Sequence, residues 1–132
     1  MKTASYFTYF GPGRVGISRG NPRGLSGYRI YRALAPWRYM LDLSEAEYRG
    51  IYFDEILAHL DPAKVVADLE ALAGDHEPVL LCFERPPFTL TNWCHRRMVA
   101  EWLADKLGLE GPELERGGGA APPTPGGNPT LI

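Results

Sequence analysis

Cysteine and histidine are scarce in this chain, with two of the first and three of the second among 132 residues. No CxxC pair occurs, and His59 and His76 have no partner at a metal-ligand spacing, so both read as surface residues and no metal is expected. An excess of either charge is also lacking. Fourteen basic residues face sixteen acidic ones, and a net charge of −2 with a pI near 5.9 gives no general pull toward nucleic acid or an anionic membrane. Any polyanion binding must then be local. No stretch approaches the roughly 20 apolar residues of a membrane span, and the first residues lack the charged and apolar blocks of a signal peptide. These absences predict a cytoplasmic protein with no membrane partner, in which Cys82 and Cys94 are thiols rather than a structural disulfide. A transient catalytic or sensing bond between them stays open.

What is present is an ordinary globular composition, 45% hydrophobic and 23% charged. The length suits one domain with a real core. Residues 116–132, rich in Gly and Pro and without an apolar pattern, are expected to be a disordered tail on a single domain over 1–115.

The organising stretch is VLLCFERPPFTLTNWCHRRMVAEWLADKL, Val79 to Leu107. Its apolar run Val79 to Phe83 has the length of a strand buried on both faces and stops at the charge of Glu84. A Pro-containing loop follows, in which Thr91 or Asn92 can cap a helix whose first turn is Trp93-Cys94-His95-Arg96. Val99, Trp102, Leu103 and Leu107 form that helix's apolar face before Gly108, while Arg97, Glu101 and Asp105 are expected to face water. The pattern brings Cys82, Glu84, Cys94, His95 and Arg96 to the carboxyl end of one strand and the amino end of the next helix, where open α/β sheets place their sites.

Ser5 to Phe10 reads as a strand closed by Gly11-Pro12-Gly13, and Arg14 to Ser18 as a second, flanking the central one. Arg19-Gly20-Asn21-Pro22-Arg23-Gly24 is a loop that can approach an anion closely, although its spacing matches no P-loop or dinucleotide fingerprint. A solvated surface loop is the plainer reading. From Leu25 to Leu43 the pattern is irregular, broken at Pro36. Ser44 to Glu47 has the form of a capping box and predicts a helix over about 45–59. Asp61 caps a second helix with Pro62 at its first position and a stripe of Val65, Val66, Leu69 and Leu72, ended by Gly74. Leu109 to Leu114 is a last short strand or an extended arm. The expected class is a small α/β domain, its mostly parallel sheet flanked by helices.

The residue types at the expected site support anion binding and thiol chemistry. Cys94 in a first helical turn beside His95 and Arg96 has the field that lowers a thiol pKa, although a cysteine next to Trp93 can equally be a small buried hydrophobe. Glu84 is a candidate base, an orienter of His95 or Arg96, or one half of a salt bridge to Arg96. Cys82, Cys94 and His95 are ligand types for zinc, but adjacent residues at a helix start rarely point at one ion.

Leu80-Leu81-Cys82-Phe83-Glu84, followed by Cys94-His95-Arg96 opening a helix that ends Glu101-Trp102-Leu103, resembles the C-terminal signature of the domain of unknown function 488 family, an LLCxE strand followed by a CHR motif. Arg19 with Pro22 three positions on resembles that family's upstream loop, and the likeness spans roughly residues 5–114. Many members carry an acidic residue two positions before the motif arginine, where this chain has Ile17. The resemblance implies a small Rossmann-like domain with its site at Arg19, Cys82, Glu84, Cys94, His95 and Arg96, and it implies no reaction.

Two functional expectations follow. In the first, Arg19, Asn21, Arg23, Arg96 and Cys82 bind an anionic ligand, nucleotide-like or phosphorylated, without a cofactor, and any catalysis uses Cys94 as nucleophile with His95 or Glu84 as base. In the second, Tyr28, Tyr31, Trp37 and Tyr39, interleaved with Arg29, Arg32 and Arg38, present an aromatic surface to a protein or to single-stranded nucleic acid.

Overall fold

The apolar run at Val79 sits at the centre of the sheet. In the computed structural model, which describes residues 1–22, 29–89 and 91–114, the strands are β1 (Lys2–Ser5), β2 (Arg14–Gly16), β3 (Arg29–Ile30), β4 (Val79–Cys82) and β5 (Glu113–Leu114). Their order is β3-β2-β4-β1-β5, and every pairing is parallel. β4 is buried at all four positions, as a strand paired on both edges and covered on both faces must be. Its registers place Leu80 beside Thr3 of β1 and Val15 of β2. This is the expected α/β architecture.

Helices cover the sheet: α1 (Glu45–Ile51), α2 (Pro62–Ala73) and α3 (His95–Leu107). α1 starts at the predicted capping box, with Ser44 Oγ accepting from Glu47 N–H while the Glu47 carboxylate accepts from Ser44 N–H. The predicted single helix over 45–59 does not run on unbroken. A π-helical turn over Tyr52–Ile56 and a 3-10 turn over Leu57–His59 complete it, and they keep Tyr52, Ile56 and Leu57 all facing the core. α2 has Asp61 as its cap, Pro62 in its first turn and Gly74 at its end, as read. α2 packs against α3 and β2, which places one core cluster between the helices and the sheet, from Val15 and Leu80 to Leu69 and Leu103.

Several expected boundaries move for identifiable reasons. The first strand is Lys2–Ser5 instead of Ser5 to Phe10. Ser5 ends it by accepting turn hydrogen bonds, its Oγ from Phe7 N–H and its carbonyl from Thr8 and Tyr9 N–H. The aromatic run then folds back as a lid, with Tyr6 fully buried against Phe83 at 5.2 Å between ring centroids. Phe83 itself lies outside β4 and is exposed. Thr91 and Asn92 do not cap α3. Asn92 Nδ2 donates to the carbonyls of Arg85 and Pro87 and ties the loop instead, so Cys94 is left at the cap position. Leu107 is exposed, and Arg97 reaches inward to donate to Thr3 Oγ1 and the Gly111 carbonyl. The tail over 116–132, Arg23 and Tyr28 lie outside the described residues. No helix among the described residues is long and apolar enough to cross a membrane.

Candidate functional site

β2 and β4 pair side by side, and their carboxyl ends lie at one edge of the sheet. Between them, α1 and the Pro36–Leu43 segment lies a cleft of about 690 Å³. Ser18, Arg19 and Asn21 line it from the β2 loop, Cys82, Phe83 and Glu84 from the end of β4, Tyr48 and His95 from α1 and the start of α3, and Trp93 from the segment just before α3. This is the edge at which an open parallel sheet holds its ligands.

At the floor, Cys82 ends β4 and Cys94 precedes α3, and the loop between them returns the chain to the same point. The two are paired as a disulfide, their Cα atoms 7.1 Å apart. The expectation of two thiols is corrected here, since no described cysteine is free. His95 completes the group. Its Nε2 lies 2.8 Å from the Ile17 carbonyl, an acceptor only, so Nε2 carries the proton and Nδ1 turns its lone pair toward Cys94 Sγ at 3.8 Å. Burial lowers the His95 pKa to about 4; the bond to Ile17 opposes this and the charge of Arg96 adds to it. His95 is therefore a neutral imidazole at neutral pH. Its ring stands edge-on to Tyr52 at 5.5 Å, which fixes its plane.

Arg96 holds this floor together. It is fully buried and donates through Nη2 to the Glu84 carbonyl at 2.7 Å, through Nη1 to Cys82 Sγ at 3.1 Å, and through Nε and Nη2 to the Glu113 carboxylate. All three nitrogens of its fork are engaged, so the structure makes it a tether between β4, α3 and β5. The ion pair expected between Arg96 and Glu84 forms with Glu113 instead. Glu84 lines the cleft, and burial pushes its pKa up against the opposing effects of the Arg96 charge and of its own backbone N–H. Tyr48, stacked edge-on to Trp93 at 4.7 Å, has its hydroxyl pKa raised by burial and then by Glu84.

Of the residues singled out from sequence, Arg19, Asn21, Cys82, Glu84 and His95 line the cleft. Cys94 lies directly behind Cys82, and Arg96 lies beneath both. Arg19 Nη1 donates to the Pro36 carbonyl at 3.3 Å, which holds it along the wall. Arg38, read from sequence only as part of an aromatic surface, lines the cleft and makes no hydrogen bond or ion pair among the described residues. Glu113 and the Ile17 carbonyl were not legible as site groups. A lone glutamate in an extended arm and a backbone oxygen carry no local signal. The aromatic set divides: Trp37 and Tyr39 are 42% and 57% exposed, with their rings 6.1 Å apart, whereas Tyr31 is half-buried and donates to Asp68. His59 and His76 are exposed, as expected.

No curated protein and no solved structure matches this chain. The family model described as Domain of unknown function DUF488 matches residues 17–103, a span that runs from the Ile17 carbonyl through the Cys82–Cys94 pair to the body of α3, and the chain belongs to that family.

Proposed function

We propose that the cleft binds a small anionic ligand, phosphorylated or nucleotide-like, and presents the Cys82–Cys94–His95 centre to it for thiol chemistry. The observation that carries this reading is Arg38, a guanidinium lining the cleft with no hydrogen bond or ion pair among the described residues, opposite a floor of sulfur and imidazole. A planar fork of donors in such a place suits bidentate binding of phosphate or carboxylate. The cavity volume of about 690 Å³ is within the usual range of small-molecule sites. In the dithiol state, Cys82 lines the cleft with Arg96 Nη1 3.1 Å from its sulfur, and that charge favours its thiolate.

Calorimetric titration with inorganic phosphate and a set of nucleoside 5′-phosphates tests the reading. Binding is expected to the unaltered chain and to fall roughly tenfold, about 1.4 kcal/mol, in Arg38→Ala. If no phosphate compound binds, or if Arg38→Ala and Arg19→Ala both bind like the unaltered chain, the reading fails. The exposed pair Trp37 and Tyr39 around Arg38 favours a second reading, a protein or single-stranded nucleic-acid partner. That reading requires the Trp37→Ala, Tyr39→Ala double variant to lose the partner while keeping phosphate binding.

A further inference from the structure

We propose that the reduced form of this chain is a zinc-binding protein, with Cys82, Cys94 and His95 as three ligands of one ion and the fourth position on the cleft side. Three observations support it together. The two sulfurs and a ring nitrogen of His95 all lie within 4.8 Å of one another, and all three residues are buried. The His95 tautomer is set for ligation, because the Ile17 carbonyl at 2.8 Å keeps the proton on Nε2 and leaves the Nδ1 lone pair facing the sulfurs. A ring nitrogen tied to a backbone carbonyl while its partner meets the ion is the usual outer-shell arrangement of a metal-bound histidine. Finally, the Cα atoms of the two cysteines are 7.1 Å apart, past the usual disulfide span of about 4.4–6.8 Å. Two thiolates on one tetrahedral ion, at Zn–S distances of about 2.3 Å, set their sulfurs roughly 3.8 Å apart, which this spacing accommodates.

The charges also balance. Two-electron reduction of the disulfide by an added phosphine gives two thiols, and each loses its proton as it meets the ion, so zinc with two thiolates and a neutral imidazole carries no net charge. Beneath it, Arg96 is already neutralised by Glu113, and its Nη1 at 3.1 Å from Cys82 Sγ is a donor to a ligating sulfur. Two soft donors and one imidazole suit zinc over magnesium or calcium. Three protein ligands with one open position is the pattern of a reactive site, and a closed structural site would need a fourth. Since Cys82 and His95 line the cleft, the open position is where the anion of the function proposed above would meet the ion, and for this point alone the inference rests on that reading.

The test is titration of the phosphine-reduced, oxygen-free full chain with cobalt(II), then displacement with zinc. One equivalent of cobalt is expected to give thiolate-to-metal charge-transfer absorption and the strong visible bands of a tetrahedral ion, both abolished by zinc and absent from the oxidised chain. Cys82→Ser and Cys94→Ser should each weaken the charge-transfer absorption, and His95→Ala should lower zinc affinity by more than about 100-fold. Because these buried substitutions can affect folding, circular dichroism accompanies each, and the unaltered reduced chain decides the matter alone: no charge-transfer band at one equivalent overturns the proposal. Phosphate titration of the same samples separates the two readings. Cobalt binding without phosphate binding leaves the metal site and removes the anion, and the converse removes the metal.

Discussion

Arg96 and Glu113 meet in a two-pronged ion pair at the edge of the sheet, Nε 2.9 Å from Oε1 and Nη2 2.8 Å from Oε2, with the arginine side chain wholly out of solvent. Strand β5 is only two residues long, so this pair is the main side-chain hold between it and the helix that opens the site. Removing one partner leaves a buried charge without its counterion, and that is the costly way to break such a pair. Glu113→Ala should lose about 3–5 kcal/mol in chemical denaturation. Adding Arg96→Met to that variant should cost less than the two single losses combined, since the stranded charge goes with it. A loss under about 1 kcal/mol for Glu113→Ala would show that the pair is solvated in solution.

Gly16 ends β2 directly under the buried ring of Tyr6, whose hydroxyl accepts from Ser18 Oγ at 3.3 Å. A methyl group at Gly16 would run into Tyr6 Oη, and with that oxygen gone the next atom, Cζ, would be 3.3 Å away. Gly16→Ala should therefore destabilise by about 1–3 kcal/mol, the usual effect of overpacking. In the Tyr6→Phe background the same change should cost visibly less. Equal costs in both backgrounds, read from thermal melts, would mean that the clash lies elsewhere.

Tyr31 donates to Asp68 at 2.8 Å, and its pKa is pushed up to about 12 by burial first and by Asp68 second. Because the folded value exceeds the unfolded one, its contribution to stability is fully present below about pH 10 and is lost as pH rises from there toward 12. Tyr31→Phe should flatten the fall in melting temperature across that window while changing little at neutral pH beyond the single hydrogen bond. An unchanged slope would show that Tyr31 ionises alike in the folded and unfolded chain.

The elements with strong local chemistry were legible in the sequence: the run at Val79, the Ser44–Glu47 capping box, Asp61-Pro62, and the glycines at 74 and 108. Each is dictated by contacts within a few residues. The boundaries at Ser5 and Cys94 were not legible, because long-range contacts set them. Tyr6 turns away from the strand to pack on Phe83, and Asn92 leaves the helix cap to bind two carbonyls of its own loop. The residues that line the cleft were legible in part by the same logic and with the same limit. Cys82, Glu84 and His95 were brought to one edge by strand-then-helix order and Arg19 by the family resemblance, while the position of Arg96 depends on Glu113, seventeen residues away in an arm that shows no periodic pattern.

The last prediction separates the two sulfurs. The sequence favours Cys94 as the reactive thiol, from its place at a helix start. The structure instead gives the cleft wall to Cys82, with Arg96 Nη1 3.1 Å from its sulfur, and sets Cys94 behind it against His95 Nδ1. A neighbouring guanidinium favours a thiolate, and His95, already a neutral imidazole, supplies no positive charge to Cys94. In the oxidised chain neither cysteine should take up iodoacetamide. After reduction in the presence of a chelator, Cys82 should be alkylated before Cys94, and phosphate should slow Cys82 in particular. Peptide mass spectrometry of a labelling time course, with Cys82→Ser and Cys94→Ser as controls, reads each site separately. Labelling of Cys94 first would restore the helix-start thiol as the nucleophile, and equal slow labelling of both would make the pair a packing feature of the core.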